Sequence, residues 1–392
     1  ILDDMDRRVL EAAKGLEAQN ITEIREAQRV LFEAGKKAAE QLLLTMTSDR
    51  SLVRRRAMEV ISRMKDPAFI ECLVNGMGDE SRKVRSMAIP ALVSLGNAAK
   101  TQLEEAAKSD DPMLRANAIR TLGYLEGEGS LDVAVSGLES TNVKVRNAAV
   151  KSLGKMGGER AREALKSALW DISSRVGINA AYTLVNFGPE GVSTLKDALA
   201  EAEAEGATKA AQCISHGLVE AGDESGLDHV ISALYDESWE EWSTPSIIAQ
   251  MKLPRANEAI VDFFRDALMA KEGSEWSGRM RPAVRALGEV EDERAVPLLQ
   301  EFLGKQTDKK ALKAGVDALR MRASGLNEMV SIQALVRLAR SDRRSLAQRA
   351  ATALVRVGQA ALTEVEKAFT ETEEGSKAWT LLDRTLRQMA RE

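Results

Sequence analysis

The stretch TNVKVRNAAVKSLGKMGG, Thr141 to Gly158, holds one short helix together with the signals that start and stop it. Val145, Ala149, Leu153 and Met156 follow one another at spacings of 4, 4 and 3. With about 3.6 residues per turn, that spacing predicts a single buried stripe. Asn142 stands where an N-cap is needed, its side-chain oxygen free to accept a first-turn amide. Gly157 and Gly158 supply the left-handed residue that closes a helix. The same grammar recurs at Val84, Ala88, Leu92, Leu95 and Gly96, at Leu114, Ala118, Leu122 and Leu125, and at Val176, Ala180, Leu184, Phe187 and Gly188. The small alanine in each stripe lets a neighbouring backbone approach.

Following the terminal apolar step along the chain gives eleven anchors: Leu31, Ile61, Leu92, Leu122, Leu153, Leu184, Leu218, Ile248, Leu287, Leu319 and Leu354. Their spacings run from 30 to 39 residues. A near-constant period in this range marks a repeat array. Between anchors lies a second helical pattern, as in Pro67 to Met77, Glu159 to Trp170 and Arg294 to Leu303. Each unit is therefore expected to be two antiparallel helices joined by short turns.

These residues carry a resemblance. The unit is similar to the HEAT repeat, and particularly to the short HEAT-like form of phycobilisome-lyase-type proteins. Val53-Arg54, Val84-Arg85, Leu114-Arg115 and Val145-Arg146 match its valine-arginine pair, and Asp49 and Asp110 match the aspartate five residues before the arginine, where the second unit has Glu80. From the unit that Gly188 closes onward, the arginine position is held by Gly177, Ala211, Glu241, Met280, Leu312 and Ala347, so the later units are degenerate. The resemblance implies an all-α fold, an α–α superhelix or HEAT-like solenoid of the armadillo type with about eleven two-helix repeats. It also implies that the repeat arginine pairs with an aspartate of its own or an adjacent unit. Arg146 is expected to make such an inter-repeat pair.

One continuous solenoid over residues 1–392 is expected. Residues 1–48 read as an N-terminal cap and first unit, 49–188 as regular repeats, 189–322 as degenerate repeats and 323–392 as C-terminal repeats with a closing cap. Within the degenerate part, 236–282 is the least regular, with Trp239 and Trp242 beside Pro245. A solenoid of 392 residues needs no division into globular domains, because each unit touches only its neighbours. Aromatics are only 4 % of the chain, so Ala, Leu and Val fill the core. Residues 50–175 hold 21 basic against 16 acidic side chains, residues 190–310 hold 13 against 24, and residues 311–392 hold 14 against 10. In a linear array such differences become zones of charge.

No apolar run is long enough to span a bilayer, so no membrane insertion is expected. Cys72 and Cys213 lie in separate units and read as unpaired thiols, which with the missing span points to the cytoplasm. The sequence begins at Ile1 rather than Met, which is compatible with a cleaved signal, with a missing upstream region and with a place in a larger assembly.

Catalytic signals are poor. His216 and His229 are the only histidines and have no carboxylate or cysteine at metal-ligand spacing. The His-Glu dipeptides of HEAT-like di-iron hydroxylases are missing, as are phosphate-binding and nucleophile-elbow motifs. No catalytic residue, cofactor or metal is expected. Nothing marks a bilin pocket, although the lyase resemblance keeps a bilin-lyase-like enzyme as an alternative.

In HEAT-like units the second helix lines the concave side. Counting from the repeat arginine, offsets +1, +2, +5 and +9 are expected to face that groove, because −1, +3, +7 and +10 are buried. The projection selects Arg120, Tyr124, Asn147, Lys151, Asn179, Tyr182, Asn186, His216 and Trp242 as partner-binding candidates. It also places Asn117, Gln212, Lys313, Asp317, Met321, Gln348, Arg349 and Arg356 on the groove, with Arg281, Arg285 and Glu289. Amides and aromatic rings on such a face suit an extended peptide, since amides bond main chain and rings pack side chains. The expected function is thus a non-catalytic scaffold that binds a protein or peptide. The alternative is nucleic acid held by the basic N-terminal repeats, in the manner of HEAT-like DNA-repair glycosylases, with Arg55, Arg56, Arg63 and Lys155 on phosphates.

Overall fold

The computed structural model describes residues 4–125, 128–236, 244–269, 280–306, 308–326 and 328–391, and these are helical with no strand among them. They fall into two compact units, Ile1–Glu201 and Ala202–Glu392. The first contains α1 (Asp4–Gly15), α2 (Ile21–Ala34), α3 (Ala39–Thr45), α4 (Ser51–Met64), α5 (Ile70–Gly76), α6 (Arg82–Leu95), α7 (Lys100–Ala106), α8 (Pro112–Leu122), α9 (Glu128–Gly137), α10 (Val143–Met156), α11 (Gly158–Ala168) and α12 (Ser174–Val185). Helix α13 (Pro189–Ala204) carries the boundary. The second contains α14 (Thr208–Glu220), α15 (Leu227–Tyr235), α16 (Thr244–Gln250), α17 (Pro254–Met269), α18 (Met280–Leu287), α19 (Ala295–Lys305), α20 (Lys309–Gly325), α21 (Met329–Ala339), α22 (Arg344–Val357), α23 (Gln359–Thr370) and α24 (Lys377–Met389).

In each unit the even-numbered helices pack side by side, α8 on α10 and α10 on α12, then α16, α18, α20 and α22 in series. The odd-numbered helices form the other layer, and α1 with α2, α5 with α6, α7 with α8, α9 with α10, α15 with α16, α17 with α18, α19 with α20, α21 with α22 and α23 with α24 are paired neighbours. The core lies between the layers. All eleven anchors, from Leu31 to Leu354, have no solvent-accessible surface. In α10, Val145, Ala149 and Leu153 are likewise buried. The stripe ends sooner than its spacing predicts: Leu95, Met156 and Phe187 are half-exposed. Each sits at the last residue of its helix or just beyond it.

The punctuation reads as the sequence suggests. Asn142 accepts from the amide of Lys144 at 2.9 Å and starts α10. Asp111 does the same for Met113 at 2.8 Å, with Pro112 in the first helical position where its missing N–H costs nothing. Gly157 and Gly158 take φ of 67° and 81° and turn the chain into α11. At the end of α4 the left-handed residue is Lys65, at φ 51°.

Two of the four repeat arginines, Arg54 and Arg146, tie successive units together, but not through the aspartates the motif suggests, while Arg85 donates to Asp79 O and Glu80 O of its own turn. Arg54 reaches Asp79 with Nε and Nη2 at 2.8 and 3.1 Å. Arg146 reaches Asp171 in the same fork at 2.7 and 2.9 Å. Both acceptors lie 25 residues ahead, in the turn before the next second helix. The third guanidinium nitrogen returns to its own turn, to Ser48 O for Arg54 and to Ser140 O and Thr141 O for Arg146. Asp49 and Asp110, which match the motif position, are exposed. Asp79 and Asp171 also take the amides of Ser81 and Ser173, so one carboxylate orders its own turn and holds the preceding unit.

A second device satisfies helix ends. The last carbonyls of a helix have no partner within it. Arg56 on α4 donates to Leu16 O and Ala18 O at 2.6 and 2.9 Å, just past the end of α1. Asn117 on α8 donates to Met77 O at 2.7 Å, past the end of α5. Arg343, at the start of α22, donates to Leu303 O at 2.7 Å in α19. Each reach spans 40 residues, from a second helix to the first helix of the preceding unit.

Neither Cys72 nor Cys213 is in a disulfide among the described residues, and both are buried. Burial, with the negative charge of Glu71, pushes the Cys72 thiol up to about 11. In native protein at pH 7.5 neither thiol is expected to react with a maleimide dye within minutes. In denaturant both label, and early native labelling of Cys72 would contradict its packing.

Candidate second-helix interaction face

The candidate residues gather on α8, α10 and α12 in the first unit. Tyr124, just beyond α8, is 50 % exposed, and Lys155 on α10 lays its Nζ 4.1 Å from the ring centroid. The contact orients the ring and leaves one face to solvent. Lys151 is exposed one turn before Lys155. Asn147 on α10 and Asn179 on α12 join their side chains, Asn179 Nδ2 donating to Asn147 Oδ1 at 2.6 Å. Asn147 Nδ2 in turn donates to Val143 O at 3.1 Å. That fixes the orientation of both amides and leaves the Asn179 carbonyl oxygen directed away from the pair. Tyr182 is half-buried on the next turn of α12, and Asn186 is exposed beyond it, donating to Tyr182 O at 3.2 Å. Arg120 is half-buried and donates to Asn117 Oδ1 at 3.0 Å.

Other candidates leave this face. His216 has no accessible surface; its Nδ1 lies 2.8 Å from Gln212 O and its Nε2 3.0 Å from Thr244 Oγ1. The projection failed there because α14 is buried around its whole circumference from Ala210 to Val219, Gln212 included. Trp242 lies outside the described residues. Arg56 is buried on the carbonyls that end α1, so it is not available to a phosphate. Asn117 is withdrawn in the same way. Arg55 is half-buried. Arg63 is exposed, with its guanidinium 5.1 Å from the Phe32 ring centroid. Of the four proposed phosphate contacts, Arg63 and Lys155 therefore remain open to solvent, and each rests against an aromatic ring. Offset +9 is exposed in the α4, α8, α10 and α12 units, at Arg63, Tyr124, Lys155 and Asn186, whereas +5 is half-buried in all of them but α10 and +2 turns toward the preceding unit.

Among the described residues no group of His, Cys, Asp and Glu side chains is placed to hold a metal ion, and no helix is long and apolar enough to cross a membrane.

A family described as HEAT repeats matches residues 37–112 and 100–185, and the PBS lyase HEAT-like repeat matches residues 283–305. Those segments carry HEAT and HEAT-like repeats. No curated protein matches it in sequence. Among solved structures, importin beta in an ammonium sulfate condition shares 13 % identity at a TM-score of 0.51, over 97 % of this chain and 62 % of that one. Kap95p, described with RanGDP, shares 13 % identity at 0.49, over 97 % of this chain and 54 % of its own. The Kap95:Nup1 complex gives 14 % identity at 0.48, over 98 % and 54 %. The chain thus spans little more than half of the length of these structures, and at such identities the likeness to importin beta is one of fold. The HEAT units account for the arginine forks and the paired layers. They leave the solvent-facing side chains of the second helices unconstrained, and those residues differ from unit to unit.

Proposed function

We propose that this chain is a non-catalytic interaction scaffold that takes a peptide or partner protein across the face of α8, α10 and α12. The observation that supports the reading is the coincidence, on one solvent-facing surface, of the Tyr124–Lys155 stack and the Asn147–Asn179 amide pair, with Tyr182 and Asn186 alongside. Oriented amides offer both an acceptor and donors to a main chain, and a half-exposed ring offers a platform to a side chain. None of these groups forms a nucleophile–base pair, so the face is suited to holding rather than to reacting. Two buried cysteines, neither of them in a disulfide among the described residues, fit a reducing compartment, and we place the protein in the cytoplasm on that ground.

The test is affinity capture from native lysate with the wild type and with Tyr124→Ala/Asn179→Ala. Tyr124 lies outside the core, so helicity and melting temperature are expected to stay unchanged while the wild-type partner is lost by about tenfold or more. Equal recovery by the variant would remove this face from the argument.

A further inference from the structure

The second helices of the C-terminal unit carry a different surface. A cavity of about 310 Å³ lies between α20 and α22, lined by Lys313, Arg320, Arg349 and Arg356 together with Val316 and Asp317. A second, of about 520 Å³, lies against α16, α18 and α20, lined by Arg281, Arg285 and Arg320 with Pro282, Asp317 and Met321. They share Asp317 and Arg320, so the two cavities meet there as one trough across successive second helices.

The cations of the trough are poorly compensated. Lys313, Arg349 and Arg356 make no ion pair among the described residues. Arg320 has a buried Nε without a hydrogen-bond acceptor among them; the nearest carboxylate oxygen, Asp317 Oδ1, is 3.9 Å away. Arg285 pairs loosely with Glu289 at 3.6 Å. This excess sits in a chain whose formal net charge is −5. Like charges gathered around one trough repel each other, and an anion laid among them relieves that repulsion while using guanidinium forks that match a carboxylate.

We propose that the trough docks an acidic peptide segment of a partner protein, with a carboxylate at about every third residue. The spacing follows from geometry. Packed helices lie about 8–10 Å apart and an extended chain advances about 3.3 Å per residue, so every third side chain meets the next helix. Val316, Ala353, Pro282 and Met321 give apolar contact to the residues between. Asp317 accepts from main-chain N–H groups but repels a phosphate. Neither lining holds an aromatic ring, which a single-stranded nucleic acid needs for stacking. The proposal rests on the scaffold reading but uses a different face and a different chemistry.

Fluorescence anisotropy tests it with a labelled peptide of repeating Glu-Val-Ser, alongside labelled single-stranded RNA and a DNA duplex. The peptide is expected to bind, and Lys313→Glu/Arg356→Glu to weaken it by at least about tenfold, since both side chains are exposed and carry no fold contact. Arg320→Gln/Arg349→Gln removes charge without reversing it and is expected to weaken binding in the same direction. Tyr124→Ala/Asn179→Ala is expected to leave it unchanged. Absence of peptide binding to the wild type, or equal binding by the trough variants, overturns the proposal and leaves the N-terminal face to stand or fall by its own capture experiment. Tighter binding of RNA or duplex through Lys313 and Arg356 overturns the assignment to a peptide.

Discussion

Replacing Arg322 by methionine is expected to destabilise the C-terminal unit by about 3–5 kcal/mol. Arg322 is 1 % exposed and is the largest fully buried side chain among the described residues. Its Nη1 donates to Leu287 O, at 2.9 Å, and to Val290 O. Its Nη2 donates to Asp292 O at 3.0 Å and to Glu328 Oε1 at 2.8 Å, while Nε reaches Glu328 Oε2 at 2.7 Å. Every N–H of the guanidinium is used. Methionine fills most of the volume, yet it takes the side-chain donor from Leu287 O and Val290 O and leaves the Glu328 carboxylate with Ser331 but no cation. A companion variant, Arg322→Met/Glu328→Leu, removes the orphaned charge and is expected to recover part of the loss, but not all, because the carbonyls at the end of α18 stay unsatisfied. Urea unfolding followed by circular dichroism measures the loss, and hydrogen exchange is expected to locate it in α18 to α21. Full recovery in the double variant would show that the carbonyl contacts carry little.

The same pair sets a dependence on acid. Burial pushes the Glu328 carboxyl up, but hydrogen bonds from Arg322 and Ser331 and the charge of Arg322 together outweigh it and hold the group below its usual range. A depressed folded value means the carboxylate contributes its full stabilisation above the ordinary glutamate pKa. That contribution is lost as pH falls through the lower folded value. The Arg322→Met penalty is therefore expected to be constant near neutrality and to shrink in acid.

What the sequence discloses is the period. Leu153 and its ten counterparts recur because every unit needs one residue sealed between the layers, and a repeated need leaves a repeated letter. Asn142 and Gly157 are legible for a similar reason, since helix ends have few chemical solutions. The side chains that turned inward were not legible. Arg56 and Asn117 hold the same offset that looked solvent-facing on a lone helix, and each is drawn in by the carbonyls of a helix end 40 residues earlier. Nothing in the local pattern records how near that end comes. His216 was lost differently: its helix is enclosed on every side, so periodicity gives no outward face to read. Asp79 and Asp171 look in sequence like any turn aspartate. Only the packing shows which turn stands 25 residues ahead of an arginine. Arg320 falls outside the projected offsets and gains its interest from the two cavities that meet at it.

Arg146→Ala is expected to cost the N-terminal unit about 3–5 kcal/mol, and to do more than Asp171→Asn at the other end of the same contact. The pair is nearly closed to solvent, at 8 % and 9 % side-chain exposure, so screening does little to weaken it. Alanine removes the fork to Asp171 and the donor to Ser140 O and Thr141 O together. Asparagine at 171 keeps an oxygen for the Ser173 amide and for one N–H of Arg146, and leaves the carbonyl contacts intact, so about 1–2 kcal/mol is expected. If the ionic attraction alone held the units, the two variants would cost the same in urea unfolding. The difference matters to function because Asn147 follows Arg146 directly and meets Asn179 across the same junction, 2.6 Å apart. Neighbouring units in a linear array are held mainly by their shared interface. Loosening α10 against α12 therefore separates the two amides, and Arg146→Ala is expected to weaken partner capture although its guanidinium faces the core. Arg54→Ala breaks the equivalent fork at Asp79, far from Asn147 and Asn179. It is expected to lower stability comparably while sparing capture, and equal loss of capture in both variants would mean that general stability, not the register of α10 on α12, governs the face.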